Sequence, residues 1–230
     1  MTFTMNGKHL VSGGHEGVQV WRVKDGERLG AMQVEHTVCS LAVSKDGRFI
    51  AAGSGLGDVW VWDGRTYEQV FVVEVLGGPI IYNVDFSPDL IQLVSANWWN
   101  QWMACTATIW DIAARTSVQK FEHGDWVLVA KYSPQGNRIT TASDGSVRVW
   151  DSDDGQLLVN VKVALDPWRG LLWFDNHLFV KTKDSKIKQI EASTGSIVAE
   201  WPVPYNSISC MALPQHGKFI ACSTKDSITF

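Results

Sequence analysis

The segment NWWNQW, carrying Trp98, Trp99 and Trp102, and the aromatic or basic residues Trp126, Trp168, Arg169 and Tyr205 are the part of this sequence best suited to chemistry. That chemistry is recognition. Trp, Tyr and Arg dominate binding hot spots because they bury a large area with few rotors to immobilise, and a contiguous exposed apolar patch usually marks a binding surface. Twelve tryptophans occur in 230 residues. The same indoles could instead fold over their own sheet and bury themselves, or stack on a sugar or another small ligand.

Groups for catalysis are not assembled in the same way. No GxSxG, HExxH, P-loop or Gly-rich dinucleotide turn is present. The fragment GSGLGD at residues 53–58 resembles a phosphate loop, but it leads into a strand, so the helix N-terminus that would hold the phosphate is missing. The run Asp151, Ser152, Asp153, Asp154, Gly155 does not meet a calcium-loop order and reads as a solvated turn. None of the six histidines stands at metal-ligand spacing. The cysteines Cys39, Cys105, Cys210 and Cys222 lie singly in apolar stretches, as buried thiols of a reducing compartment do. We therefore expect no catalytic residue, no metal and no cofactor.

Four segments close on a tryptophan after alternating apolar residues: GVQVWR at Trp21, DVWVWD at Trp62, TATIWD at Trp110 and SVRVWD at Trp150. Their spacings are 41, 48 and 40 residues. NWWNQW is the insertion that stretches the middle one. The pattern continues through SKIKQIE, with Ile190 and Glu191 where Trp-Asp would stand, and a sixth copy runs to Phe230. Within the fourth copy, WVLVAKYS, NRITTAS, SVRVWD and QLLVNVKV read as four strands separated by the turn signals SPQGN, SDG and DSDDG. Helical periodicity is absent. The chain is thus expected to be all-β, built of four-stranded antiparallel units at about 1–34, 35–75, 76–122, 123–163, 164–202 and 203–230, the last incomplete, within a single domain spanning 1–230.

These copies resemble the WD-repeat family, whose period is roughly 40 to 45 residues, across essentially the whole chain. Turns such as FSPDL and YSPQG are similar in style to the WD-repeat arrays of fungal signalling NTPases of the NACHT type. The resemblance implies a β-propeller of about six blades, part of a six- or seven-bladed ring. It also implies a blade-tying hydrogen-bond network, matched in the fourth copy by His123, Thr140, Asp144 and Trp150. The second copy keeps His36 and Trp62 but has GSGLGDV where the turn Asp belongs, the third keeps only Trp110, and the fifth has Asp184 without the Trp. By the family topology, the NWWNQW loop and Trp126 open onto the top face.

A net charge of −4 offers no basic field for nucleic acid. No apolar run approaches the roughly 20 residues of a membrane helix, and MTFTMNGKHL is not a signal core. The expected protein is a cytoplasmic, non-catalytic scaffold binding a protein or peptide through its top-face loops, with no nucleic acid or membrane partner. The alternatives are a small-ligand or carbohydrate-binding propeller, a hydrolase with a central-channel site, or an autoinhibitory segment of a larger signalling protein. Since the sixth copy stops short of its own tryptophan, further residues, further blades or a second copy of the chain are expected to complete its exposed edge.

Overall fold

A computed structural model describes residues 1–73, 78–98, 105–166, 171–203, 210–212, 220–223 and 228–229. Among these, every regular element is a strand. The first sheet comprises β1 (Thr2–Phe3), β2 (His9–Gly14), β3 (Gly17–Arg22) and β4 (Arg28–Met32). The second comprises β5 (Val38–Val43), β6 (Phe49–Ser54), β7 (Val59–Asp63) and β8 (Gln69–Val73), and the third β9 (Ile81–Phe86), β10 (Gln92–Asn97), β11 (Cys105–Asp111) and β12 (Thr116–His123). The fourth comprises β13 (Val127–Tyr132), β14 (Arg138–Ser143), β15 (Ser146–Asp151) and β16 (Leu157–Lys162). The fifth comprises β17 (Leu171–Phe174), β18 (His177–Thr182), β19 (Lys186–Glu191) and β20 (Ile197–Pro202). A three-stranded sheet follows, of β21 (Cys210–Ala212), β22 (Ala221–Ser223) and β23 (Ile228–Thr229). Strands consecutive in sequence are neighbours in every sheet, so five complete four-stranded units and one shorter one stand where the repeat requires them.

Two backbone devices recur in all five complete sheets. The pairing of third with fourth strand slips by one residue just before Trp21, Trp62, Trp110, Trp150 and Ile190, a bulge that increases local twist. Five residues after each of these lies a left-handed residue in the following turn: Gly26, Tyr67, Arg115, Gly155 and Gly195, with φ between 59° and 77°. Glycine takes this conformation without penalty, whereas Tyr67 and Arg115 do not.

The chain divides into two compact units, residues 1–132 and 133–230. In the first, β7 is buried on both faces, with Val59, Trp60, Val61 and Trp62 all inside. Sheet meets sheet through the first strand of one and the second strand of the one before. A Cβ on Gly13 of β2 would lie 2.6 Å from Val38 Cγ1, and one on Gly53 of β6 would lie 2.3 Å from Ile81 Cγ2. Side chains then satisfy the backbone of the bordering strands. Ser40 Oγ donates to Ile81 O at 3.1 Å, and Asn83 Oδ1 and Asp85 Oδ2 each accept at 3.0 Å, from Ala130 N and Tyr132 N.

In the second unit, Phe179, Ile187 and Met211 form a small core, and ion pairs are more prominent. Lys181, only 3% exposed, lies 2.6 Å from Asp166. Lys183 pairs with Asp144, while Lys186 and Lys188 share Glu200 at 2.9 and 3.0 Å. By register, Lys181 stands three residues past the position opposite the tryptophan site, where the other sheets carry Gly13, Gly53, Ala96 and Ala142.

Two predictions follow from this backbone. Arg115 is exposed and makes no side-chain bond among the described residues, so Arg115→Gly should raise unfolding stability by about 0.5 to 1 kcal/mol in denaturant titration. Burial pushes the Asp85 carboxyl up to about 6, against the opposing pull of Lys131 and the Tyr132 N–H. Asp85 is thus protonated in the folded chain at pH values where an unfolded aspartate, near 3.9, is ionised. Its stabilising contribution is complete below about pH 4 and is lost as pH rises through about 6. Asp85→Asn keeps the acceptor for Tyr132 N and should abolish that share of the pH slope in urea titrations between pH 4 and 7.

Candidate functional site

The insertion between β10 and β11 is held at both ends by one side chain. Asn97 Nδ2 donates to Thr106 Oγ1 at 2.9 Å, and Thr106 N donates to Asn97 Oδ1 at 2.7 Å. Trp98 N donates to Ile80 O at 2.8 Å, which carries the Trp98 ring over the start of β9. Its indole there lies 4.7 Å from the ring of Tyr82 and 4.8 Å from that of Trp126, centroid to centroid, with interplanar angles of 38° and 29°. Such tilted and offset pairs are favourable arrangements for aromatic quadrupoles.

All three rings are half-buried, so each keeps part of its surface toward solvent. Burial, with a smaller contribution from Cys39, raises the Tyr82 phenol above its ordinary value. The phenol therefore stays neutral, a donor and acceptor at the rim of an apolar strip. Of the expected binding residues, the structure brings Trp98 and Trp126 together. Trp99, Trp102, Trp168, Arg169 and Tyr205 lie outside the described residues. Tyr82 was not anticipated, because an isolated Tyr in a strand of alternating residues gives no sign that an insertion sixteen residues later will cover it.

The indole of the expected tying network bonds a different hydroxyl from the one expected. Trp150 Nε1 donates to Thr141 Oγ1 at 2.7 Å, not to Thr140. The same bond joins Trp21 to Ser12 and Trp110 to Ser95, both at 2.8 Å. In each case the hydroxyl lies two residues past the residue facing the indole in the ladder: Leu10, Leu93 or Ile139. Side chains alternate across a strand, so only that parity reaches the tryptophan. Thr140 points to the opposite face, fully buried, and its Oγ1 has no hydrogen-bond partner among the described residues. Asp144 pairs with Lys183, and His123 ends β12 as a buried residue of the first unit.

The second sheet is corrected as well. Asp58 occupies the turn where no suitable Asp was expected: it is 4% exposed, accepts from Ser54 Oγ at 3.0 Å and lies 3.8 Å from His36 Nε2. Residues 53–58 thus form a strand-to-strand turn and not a phosphate loop. The Asp151 carboxylate accepts from the backbone N of Asp153 and Asp154, the geometry of a side-chain-closed turn. Among the described residues no group of three His, Cys, Asp or Glu is placed to hold a metal ion.

The WD domain, G-beta repeat family matches residues 29–63 and 115–151, each match ending on a Trp-Asp pair. WD repeat-containing protein 1 of Xenopus tropicalis is 38% identical over 201 residues, covering 81% of this chain and 32% of that protein. Protein groucho of Drosophila melanogaster is 25% identical over 163 residues, covering 66% of this chain and 21% of that protein. Apoptotic protease-activating factor 1 of Danio rerio is 26% identical over 125 residues, covering 53% and 10%. The chain spans no more than a third of the length of any of these relatives.

A pair of substitutions separates the two threonines. Thr141→Val removes the acceptor of the Trp150 indole and should cost about 1 to 2 kcal/mol in equilibrium unfolding. Thr140→Val removes a buried hydroxyl that has no described partner and should be neutral or stabilising by up to about 1 kcal/mol.

Proposed function

The chain belongs to the WD-repeat family of β-propeller proteins, and on that premise we propose that it is a non-catalytic interaction module. It engages a protein or peptide through the loop carrying Trp98, Trp99 and Trp102 and through Trp126. The supporting observation is the half-buried strip of Tyr82, Trp98 and Trp126, mounted on strand ends and held by the Asn97–Thr106 clasp. Aromatic groups fixed in place before binding lose little conformational entropy when a partner arrives. Their apolar faces and few polar tips suit a peptide side chain better than a reacting group.

Panning a displayed peptide library on the full chain tests this. Recovered peptides should bind the wild type and lose at least about tenfold in affinity to the Trp99→Ala/Trp126→Ala double variant, as expected for hot-spot aromatics, with the melting temperature of that variant showing an intact fold. Undiminished binding to a folded double variant removes the site. A carbohydrate or metabolite that raises the melting temperature by mass action, with no peptide recovered, replaces the reading.

A further inference from the structure

Four sheets join their first and second strands by five residues, at 4–8, 44–48, 87–91 and 133–137. In three of these a hydroxyl at the first position meets an Asp or Asn at the third: Thr4 with Asn6, Ser44 with Asp46 and Ser87 with Asp89. In the fourth, Gln135 takes the third position, and Ser133 Oγ turns to Asn137 Oδ1 at 3.2 Å. The fifth sheet breaks the pattern altogether. Only Asp175 and Asn176 separate β17 from β18, Phe174 pairs directly with His177, and Asp175 adopts φ 50°. A turn three residues shorter leaves space beside the longer turn of the fourth sheet. That space is a cavity of about 150 Å³ whose lining includes Gln135, Asn137, Arg138, Trp173, Asp175 and Asn176, all in the second unit.

The cavity carries one guanidinium with little to do. Arg138 Nη1 reaches Asn176 Oδ1 at 3.4 Å, and no carboxylate lies within ion-pair distance of it among the described residues. Asp151 faces Arg138 in the ladder, yet its carboxylate is taken by the backbone of its own turn. The lysines of the same unit that lie on β18 and β19 or between them are each paired. Trp173 Nε1 donates to Asp175 O at 2.8 Å, and Asn176 Nδ2 donates to Ser193 Oγ at 3.1 Å, so both side chains are held in position. The volume is below the several hundred Å³ of a site for a drug-sized ligand and suits one side chain.

We propose that this cavity takes the side chain of an aspartate or glutamate from an acidic peptide segment. The Arg138 fork receives the carboxylate, the geometry for which guanidinium is best adapted, and the fixed Trp173 ring packs on the methylene stem. The Asp175 carboxylate at the rim opposes a second negative charge, which favours a carboxylate over a dianionic phosphate. This is a second binding site, independent of the Trp98–Trp126 strip.

The test uses the ¹⁵N-labelled full chain titrated with N-acetyl-glutamate methylamide and, separately, with its glutamine counterpart. Trp173→Phe identifies the reporting indole resonance. The glutamate probe should shift the Trp173 indole and the Asn176 side-chain amide saturably, with the glutamine probe at least about tenfold weaker. Arg138→Gln should abolish the response at an unchanged melting temperature, and Asp175→Asn, which tolerates the left-handed backbone, should tighten it. Equal shifts from both probes, an undiminished response in folded Arg138→Gln, or saturation by methyl glucoside where the glutamate probe fails would each overturn the assignment. A Trp126→Ala chain should still bind the probe, so failure here and failure of the interaction strip are read separately.

Discussion

A β-strand at the border of a sheet carries N–H and C=O groups that burial would leave without partners, at a cost of about 1 to 3 kcal/mol each. The first strand of every sheet among the described residues is such a border. Inside the first unit the difficulty is met by short polar side chains of the preceding sheet: Asn83 and Asp85 accept from Ala130 and Tyr132, and Ser40 donates to Ile81. Ala130 and Tyr132 are two residues apart and so present their N–H groups on the same side. A carboxylate buried for this purpose is costly when charged, which is why Asp85 holds its proton to about 6. The close approach that lets Ser40 reach Ile81 depends on Gly53, since a Cβ there would collide with Ile81, and Gly13 holds the same place against Val38 between the first and second sheets.

The tryptophans belong to the other half of each sheet. A bulge before the indole and a left-handed residue five positions later turn the fourth strand back over it. In the first, third and fourth sheets the Ser or Thr of the second strand then satisfies the N–H. The fifth sheet replaces indole and hydroxyl together, with Ile190 opposite Leu178 and Val180 two residues further on. Exchanging both members of a polar pair for apolar residues leaves no unsatisfied group, which explains how that sheet keeps its form without the motif.

Fold class, strand order and the position of the insertion were all legible in the sequence, because a period near forty, an alternation of two and a Gly- or Asp-rich turn are one-dimensional signals. What escaped were choices that hang on a single residue of register. Thr140 and Thr141 are equivalent to any pattern search, yet a one-residue step puts a side chain on the other face of the sheet. Asp58 was missed because the turn of the second sheet, 55–58, is two residues longer than that of the fourth, 144–145, so its carboxylate stands four residues before Trp62 where Asp144 stands six before Trp150. The packing of Tyr82 on Trp98 depends on the path of a loop that no repeat describes.

Departures from the repeat are also where the chain acquires chemistry that the repeat does not contain. The insertion after β10 adds indoles to a strand end already fixed by its ladder, and the Asn97–Thr106 clasp keeps the added residues from loosening it. At β18 a lysine replaces the small residue of the other sheets and brings Asp166 with it, since a charge 3% exposed cannot stand alone. Shortening the turn before that strand opens a cavity beside Arg138 and Trp173 without disturbing any ladder bond. Each change lies at the end of a strand or at a single inward position, and the hydrogen-bonded middle of every sheet is untouched. A scaffold whose stability resides in those middles can vary its ends freely, so binding surfaces are to be sought where the repeats disagree.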